Sequence, residues 1–134
     1  MSDRVLGGAL GALAALGASV SAYLVWARYS GGELLCSTGG CETVQSSPYA
    51  EILGLPVALV GLGGYLVIAA TAPLRSPVAR LTGAAMALIA LAFSSYLLVV
   101  QLAVIDAVCD WCLTSDVIVT LVAATALLRV RAVV

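Results

Sequence analysis

The four cysteines of this chain are the residues whose type and spacing point most directly to chemistry. Cys109 and Cys112 form a C-x-x-C motif, and Cys36 and Cys41 form a second pair separated by Ser-Thr-Gly-Gly. The sequence contains no His, Lys or Asn, which excludes an imidazole base, a His-ligated metal or haem, and a lysine Schiff base. The two cysteine pairs therefore remain as the candidate reactive groups.

Three kinds of site can be built from two such pairs. A thiol–disulfide relay would use one pair as a flexible shuttle and the other as an embedded acceptor. Two structural disulfides would only staple loops, and a four-thiolate zinc site would use the same short spacings. Zinc is disfavoured where cysteines face an oxidising, extracytoplasmic compartment, the side that the arginine distribution predicts for these four, because thiols oxidise there. The relay is therefore the favoured interpretation. A structural or metal-binding small four-helix membrane protein remains the alternative function.

The composition places these cysteines in a membrane protein. The 134 residues are 63% hydrophobic and 10% charged, with a mean hydropathy of +1.14. A soluble domain has about a quarter of its residues charged, so an ordinary soluble domain is excluded. The net charge is −1 and there is no basic tract, which also excludes nucleic-acid binding.

The apolar segments predict an all-α integral membrane protein with a four-transmembrane-helix bundle. A span needs about 20 apolar residues, and four segments qualify. They cover about residues 5–26, 56–72, 81–105 and 112–128. The C-x-x-C motif opens the fourth helix, where exposed N–H groups stabilise a thiolate. The extracytoplasmic loop between helices 1 and 2 is predicted to hold a short interfacial helix over 49–53, ending at Gly54.

The distribution of arginines predicts the orientation. Four spans place both termini and the middle loop on one side of the membrane. That side carries five of the six arginines, namely Arg4, Arg75, Arg80, Arg129 and Arg131. Cytoplasmic loops carry the excess of positive charge. Both termini are therefore predicted to be cytoplasmic, and all four cysteines to lie on the extracytoplasmic side.

Several short motifs resemble the vitamin K epoxide reductase family. The resemblance lies in the run from Cys41 to Ala50, in Gly54-Leu55-Pro56-Val57-Ala58, and in the C-x-x-C that opens the last of four helices. It covers essentially the whole chain, which looks like a single-domain bacterial member. It implies that residues 1–134 form one multi-pass domain of a bacterial inner membrane, without a fused thioredoxin-like domain. The DsbB family also passes electrons from thiols to a quinone through four helices. Its two cysteine pairs occur in the reverse order along the chain, which disfavours that family here.

The resemblance also implies an electron pathway and its partners. Cys36 and Cys41 would take electrons from a separate reduced thioredoxin-fold, DsbA-like oxidase. Cys41 would then attack Cys109 and free Cys112, which would deliver two electrons to a membrane quinone. The quinone would be menaquinone, ubiquinone or a vitamin K-type quinone, and neither metal nor flavin is expected. Membrane lipid is the remaining expected partner, and the activity would support disulfide bond formation.

Asp116 is the first candidate for binding the quinone. It follows Cys112 by one helical turn, so both side chains lie on one helix face. It stands where vertebrate members have a quinone-holding Tyr, and their Asn has no counterpart in this chain. An ionisable group within a span is a functional candidate. Asp116 could be a hydrogen-bond partner or proton source for the quinone, or a first-turn acid in the headgroup region.

Four other residues are weaker candidates for the quinone site. Ser47 could hydrogen-bond the loop or the quinone, or it could simply cap a helix that begins at Pro48. Trp111 could stack on the quinone ring, although an interfacial anchor is the favoured role. Leu55 and Tyr65 could line the pocket, although an apolar stripe usually belongs to the core.

Overall fold

The architecture is a bundle of four helices. The structure is a computed structural model that describes residues 3–30, 48, 51–52, 54–107 and 109–131, apart from the side chains of residues 3 and 52. Within those ranges the long helices are α1 (Asp3–Ser30), α2 (Val57–Thr71), α3 (Pro77–Val99) and α4 (Asp110–Arg131). A π-helical segment, Val100–Ile105, continues directly from α3.

The four helices pack as a ring around a core of small and branched side chains. Helix α1 packs against α2 and α4, and α3 packs against α4 and α2. Each helix contributes at least one side chain that is no more than 1% exposed, among them Leu10, Ala14, Ile68, Ala87 and Val122. Small residues at helix interfaces let the backbones approach closely, which is how helices associate in lipid.

The outer surface of the bundle is apolar, as expected for contact with lipid. Leu16, Leu66, Ile89 and Val117 belong to different helices, and each is more than half exposed. Among the described residues, three helices are long and apolar enough to cross a membrane, namely Arg4–Ser30, Pro77–Ile105 and Asp110–Arg131, and Val57–Thr71 is a shorter apolar helix. The prediction of an all-α membrane protein is therefore confirmed.

The predicted interfacial helix over 49–53 is wrong at its only described residues. Strand β1 (Glu51–Ile52) pairs antiparallel with strand β2 (Leu55–Pro56), and Gly54 lies in the turn with φ of 82°. Glycine adopts this positive φ without strain. A glycine of that conformation ends helices and also closes hairpins, so its presence could not distinguish the two structures. Residues 49–50 and 53 lie outside the described part of the chain.

Five arginines gather at one end of the bundle, here called the arginine end: Arg4, Arg75, Arg80, Arg129 and Arg131. The Arg80 guanidinium donates to the carbonyl oxygens of Arg129 at 3.2 Å and Arg75 at 3.4 Å. Arg129 is only 2% exposed, and it donates to the Leu74 carbonyl at 2.8 Å. The bond to the Arg129 carbonyl places positive charge at the C-terminal end of α4, where it complements the helix dipole, and the other two bonds hold the loop after α2.

The opposite end, here called the cysteine end, holds the remaining arginine and the C-x-x-C motif. Arg28, in the last turn of α1, forms an ion pair with Glu51 of β1. The Tyr23 ring of α1 contacts the Trp111 ring within the motif, with centroids 4.7 Å apart. Arg28 and the C-x-x-C therefore share one end, as the sequence predicts.

Candidate functional site

The C-x-x-C motif lies at the beginning of α4, as predicted. Cys109 directly precedes the helix and is completely buried, whereas Cys112 in the first turn is half-buried. The Cys109 carbonyl accepts the N–H of Leu113 at 3.0 Å, which makes it the first acceptor of the helical hydrogen-bond ladder. Both sulfurs thus lie at a helix N-terminus, where N–H groups and the dipole favour a thiolate. Cys36, Cys41 and Ser47 lie outside the described residues.

A glutamine in the π-helical segment holds the backbone of Cys109. The Gln101 Oε1 accepts a hydrogen bond from the Cys109 N–H at 3.0 Å, and Gln101 is only 2% exposed. The segment ends at Asp106, whose φ of 58° is in the left-handed region that aspartate tolerates better than most residues. π-Helical turns are rare and occur frequently at functional sites.

A cavity of about 340 Å³ lies between the helices, next to the C-x-x-C motif. Its walls are mainly apolar, with a few polar side chains contributed by α1, α3, the π-helical segment and α4, and one tyrosine from α2. The polar and reactive side chains that line it include Tyr65, Ser94, Gln101, Cys112, Ser115 and Asp116. An apolar cavity of this size with a few convergent polar groups is typical of a small-molecule site.

Asp116 is the acidic side chain of this cavity. One carboxylate oxygen, Oδ1, accepts a hydrogen bond from the Ser94 hydroxyl of α3. The other, Oδ2, is buried and has no hydrogen-bond partner among the described residues. A buried polar atom without a partner is costly, particularly at membrane depth, and native proteins rarely keep one. A ligand hydroxyl in the cavity could donate to Oδ2, and a ligand carbonyl could accept from Oδ2 when that oxygen carries a proton.

Tyr65 joins α2 to α4 beside Asp116. Its hydroxyl lies 2.8 Å from the Ser115 Oγ and donates to the Ser115 carbonyl at 3.1 Å. The ring is only 5% exposed and lies against Gly17 of α1, where an added Cβ would overlap the ring. Gly17 therefore makes room for Tyr65, and the tyrosine hydroxyl fixes the face of α4 that carries Asp116.

Of the six predicted site residues that the structure describes, three line one cavity, whereas Cys109, Trp111 and Leu55 do not. Cys112, Asp116 and Tyr65 line the same cavity, so the prediction that Cys112 and Asp116 share a helix face is confirmed. Trp111 does not line the cavity and packs on the Tyr23 ring. Leu55 in β2 is 49% exposed and does not line it either.

Four polar residues of the cavity were not predicted from the sequence, namely Ser21, Ser94, Gln101 and Ser115. Each is a polar residue inside an otherwise apolar helical stretch, and that is the signal that could have identified them. Ser94 has a neighbour, Ser95, that only donates to the Leu91 carbonyl of its own helix. The sequence shows two adjacent serines, and only the fold distinguishes the one that faces Asp116.

The described ranges contain no group of three or more His, Cys, Asp or Glu side chains that could hold a metal ion. This finding covers Cys109 and Cys112 but not the other two cysteines. The described residues therefore do not test a four-thiolate zinc site, which would need all four cysteines.

The sequence model of the vitamin K epoxide reductase family matches residues 9–127, nearly the whole chain. The chain therefore belongs to the vitamin K epoxide reductase family. Membership makes it a membrane oxidoreductase of a family that links thiol chemistry to quinones and generally works with a thioredoxin-like partner. The cysteines at the helix start and the adjoining apolar cavity are consistent with that class of enzyme.

Proposed function

We propose that this protein is a thiol:quinone oxidoreductase that oxidises a thioredoxin-fold, DsbA-like partner and reduces a quinone bound in the cavity. The observation that carries the proposal is the shared position of Cys112 and Asp116 in the cavity wall. A redox-active sulfur and an acid with an unsatisfied oxygen face the same apolar space. Quinone reduction needs electrons and protons delivered to one ring, so this pairing suits the reaction.

In the proposed cycle, the partner's two thiols reduce the Cys36–Cys41 disulfide and become a disulfide themselves. The Cys41 thiolate then attacks Cys109 of the Cys109–Cys112 disulfide, which releases Cys112 as a thiolate. Attack of Cys36 on Cys41 frees Cys109 and regenerates the first disulfide. When Cys109 and Cys112 form their disulfide again, two electrons and two protons pass to the quinone and produce the hydroquinone.

Asp116 is the proposed hydrogen-bond donor and proton source for one quinone oxygen. With Oδ1 held by Ser94, a proton on Oδ2 would point to the cavity and could be donated to the ring oxygen. Tyr65 is proposed to support this position through Ser115, the residue directly before Asp116. Ser47 is proposed as a loop contact to the quinone or as a helix cap, and Trp111 as an aromatic anchor at the cysteine end.

We also propose that residues 1–134 form one domain of a bacterial inner membrane with four spans. Helix α2 would be the second span, although its 15 residues rise only about 22 Å against a hydrocarbon core of about 30 Å. Helix α2 packs between α1 and α3, which supports a position within the bundle. The bilayer can thin locally around a short span, so the length of α2 does not prevent it from spanning. The arginine end would be cytoplasmic and the cysteine end extracytoplasmic.

Anaerobic quinone reduction by the purified protein tests the proposed function. A dithiol or a reduced thioredoxin-fold protein serves as donor, and the absorbance of the quinone is followed. Cys112→Ser should lower the rate by at least about 100-fold, because no thiolate would remain at the quinone. Ser95→Ala, a control on the exposed face of α3, should leave the rate unchanged. Permanent Cys36–Cys41 and Cys109–Cys112 disulfides that do not respond to quinone would instead indicate a stapled structural protein.

A further inference from the structure

A second cleft, of about 400 Å³, opens at the arginine end between α1, α2 and the end of α4. Three arginines line it together with glycines of α1, and these residues are Arg4, Arg75, Arg129, Gly7, Gly8 and Gly11. Arg129 is only 2% exposed, so its guanidinium forms part of the buried wall of the cleft. Arg4 and Arg75 are exposed at the mouth of the cleft.

The cleft lies in a strongly positive region of the protein. Five arginines belong to this end, against one acidic residue, Asp3, at the start of α1, and the described acidic side chains are elsewhere. Glu51, Asp106 and Asp110 lie at the cysteine end, and Asp116 lines the central cavity. The positive end of the α1 dipole lies at the same place, because the helix begins at Asp3. An anion is therefore the favoured occupant.

Two of the five arginines contact backbone carbonyls. Arg80 donates to the Arg129 carbonyl in the last turn of α4, and Arg129 donates to the Leu74 carbonyl in the loop after α2. Arg4 and Arg75 are exposed and line the same cleft. Guanidinium groups match phosphate oxygens in geometry and charge, so arginines placed around a cleft are suited to a phosphate.

The glycines of α1 keep the cleft open. A Cβ added at Gly8 would have no heavy atom within 4 Å, so the space above Gly8 is empty. A Cβ at Gly7 would come within 3.1 Å of the Ala72 carbonyl oxygen, so that glycine permits close packing of α1 on α2. Below the arginines the remaining lining is apolar, including Ala12 and Ala69, as an acyl chain would require.

We propose that this cleft binds the phosphate of an anionic phospholipid, with Arg4 and Arg75 contacting the headgroup and Arg129 forming the back wall. The acyl chains would lie against the apolar outer faces of α1 and α2. The site is roughly 30 Å along α4 from Cys109, so the lipid would act on the bundle rather than on the reacting sulfurs. The proposal does not depend on the proposed quinone reaction.

Binding of phosphatidylglycerol to the full chain in neutral detergent micelles tests the proposal. Mass spectrometry of the intact protein gives the dissociation constants, with phosphatidylcholine as the uncharged comparison. Phosphatidylglycerol should bind at least about fivefold more tightly, and Arg75→Gln should weaken it by about fivefold. Arg131→Gln removes the same charge from the same end but does not line the cleft, so it should change binding less than twofold. Equal losses in both variants would overturn the proposal.

A blocking variant tests the location without removing charge. Gly8→Phe should fill the cleft and abolish the preference for phosphatidylglycerol, while Gly63→Phe, at an equally open and exposed glycine of α2, should retain it. Quinone reduction should stay within about twofold of the wild-type rate in both variants, as expected for a site remote from the chemistry. Displacement of the lipid by millimolar inorganic phosphate would show a free-anion site and contradict the lipid assignment. A preference that survives Gly8→Phe would contradict the location.

Discussion

The side-chain oxygen of Gln101 accepts a 3.0 Å hydrogen bond from the backbone N–H of Cys109, and the same glutamine lines the central cavity. One buried amide thus connects the cysteine that begins α4 to the proposed quinone site. The π-helical segment contributes this glutamine from a position directly after α3. The contact therefore links the end of α3 to the C-x-x-C motif at the start of α4.

Replacing Gln101 by methionine removes this acceptor with little change in volume. Because the donor is a buried backbone N–H, we expect the free energy of unfolding to fall by about 1–3 kcal/mol. Equilibrium unfolding in mixed detergent micelles gives the value. Ser95→Ala, which removes an exposed hydroxyl from α3, should cost less than about 0.5 kcal/mol. Equal stability of Gln101→Met and the wild type would show that the contact does not hold the motif.

The Tyr65–Ser115 hydrogen bond should couple α2 to α4. Tyr65→Phe and Ser115→Ala each remove one hydroxyl of the 2.8 Å contact. In a double-mutant cycle of unfolding free energies, we expect a coupling energy of about 0.5–1.5 kcal/mol. Additive losses from the two substitutions would mean that the hydroxyls do not interact.

Gly17 should be intolerant of a side chain because the Tyr65 ring occupies the space. The methyl group of Gly17→Ala would overlap the Tyr65 ring. The ring would have to move, and the packing between α1 and α2 would be strained. We expect a loss of about 1–3 kcal/mol in unfolding free energy. Gly63→Ala, where nothing lies within 4 Å, should change it by at most about 1 kcal/mol and in the stabilising direction. A Gly17→Ala protein of wild-type stability would contradict the packing described for Tyr65.

The sequence predicted the helices well because their cores are long apolar runs. It placed the ends less well. The first span was predicted to end near Trp26, but α1 continues to Ser30 through Arg28. Hydropathy marks the residues that face lipid or the core, whereas a helix extends further while its backbone hydrogen bonds are satisfied. The hairpin at Gly54 was missed because glycine serves helix ends and tight turns equally.

The sequence predicts those parts of the candidate site whose residues lie within one turn of the same helix. Cys112 and Asp116 share a face because four residues make about one helical turn, and no tertiary information is needed. Ser94 meets Asp116 from α3, and Tyr65 meets Ser115 from α2, so both contacts depend on how the helices are arranged. A single sequence does not specify those distances. Trp111 was ambiguous for the same reason, because its partner Tyr23 lies on α1.

The proposed four-span topology can be tested by labelling single cysteines in a variant that lacks the native four. Leu74 lies between α2 and α3 at the arginine end, and Tyr29 lies near the end of α1 at the cysteine end. The two labelling variants are Leu74→Cys and Tyr29→Cys. Both positions are more than half exposed. An impermeant maleimide should label Tyr29→Cys in right-side-out vesicles and Leu74→Cys only in inverted vesicles. Labelling of both from one side would mean that α2 does not span.

The central claim is that the quinone binds in the cavity beside Cys112 and Asp116. Ala90 lines this cavity from α3, whereas Ala92 is exposed on another face of the same helix. A phenylalanine at position 90 would occupy space that the quinone ring needs, and one at position 92 would point away from it.

The most direct measurement is the KM for quinone of Ala90→Phe and Ala92→Phe, with disulfide exchange against the thiol donor measured in the same preparations. The account predicts that Ala90→Phe raises this KM by at least about tenfold, while donor exchange and the Ala92→Phe protein remain close to wild type. A wild-type KM for quinone in a folded, exchange-competent Ala90→Phe protein would contradict it.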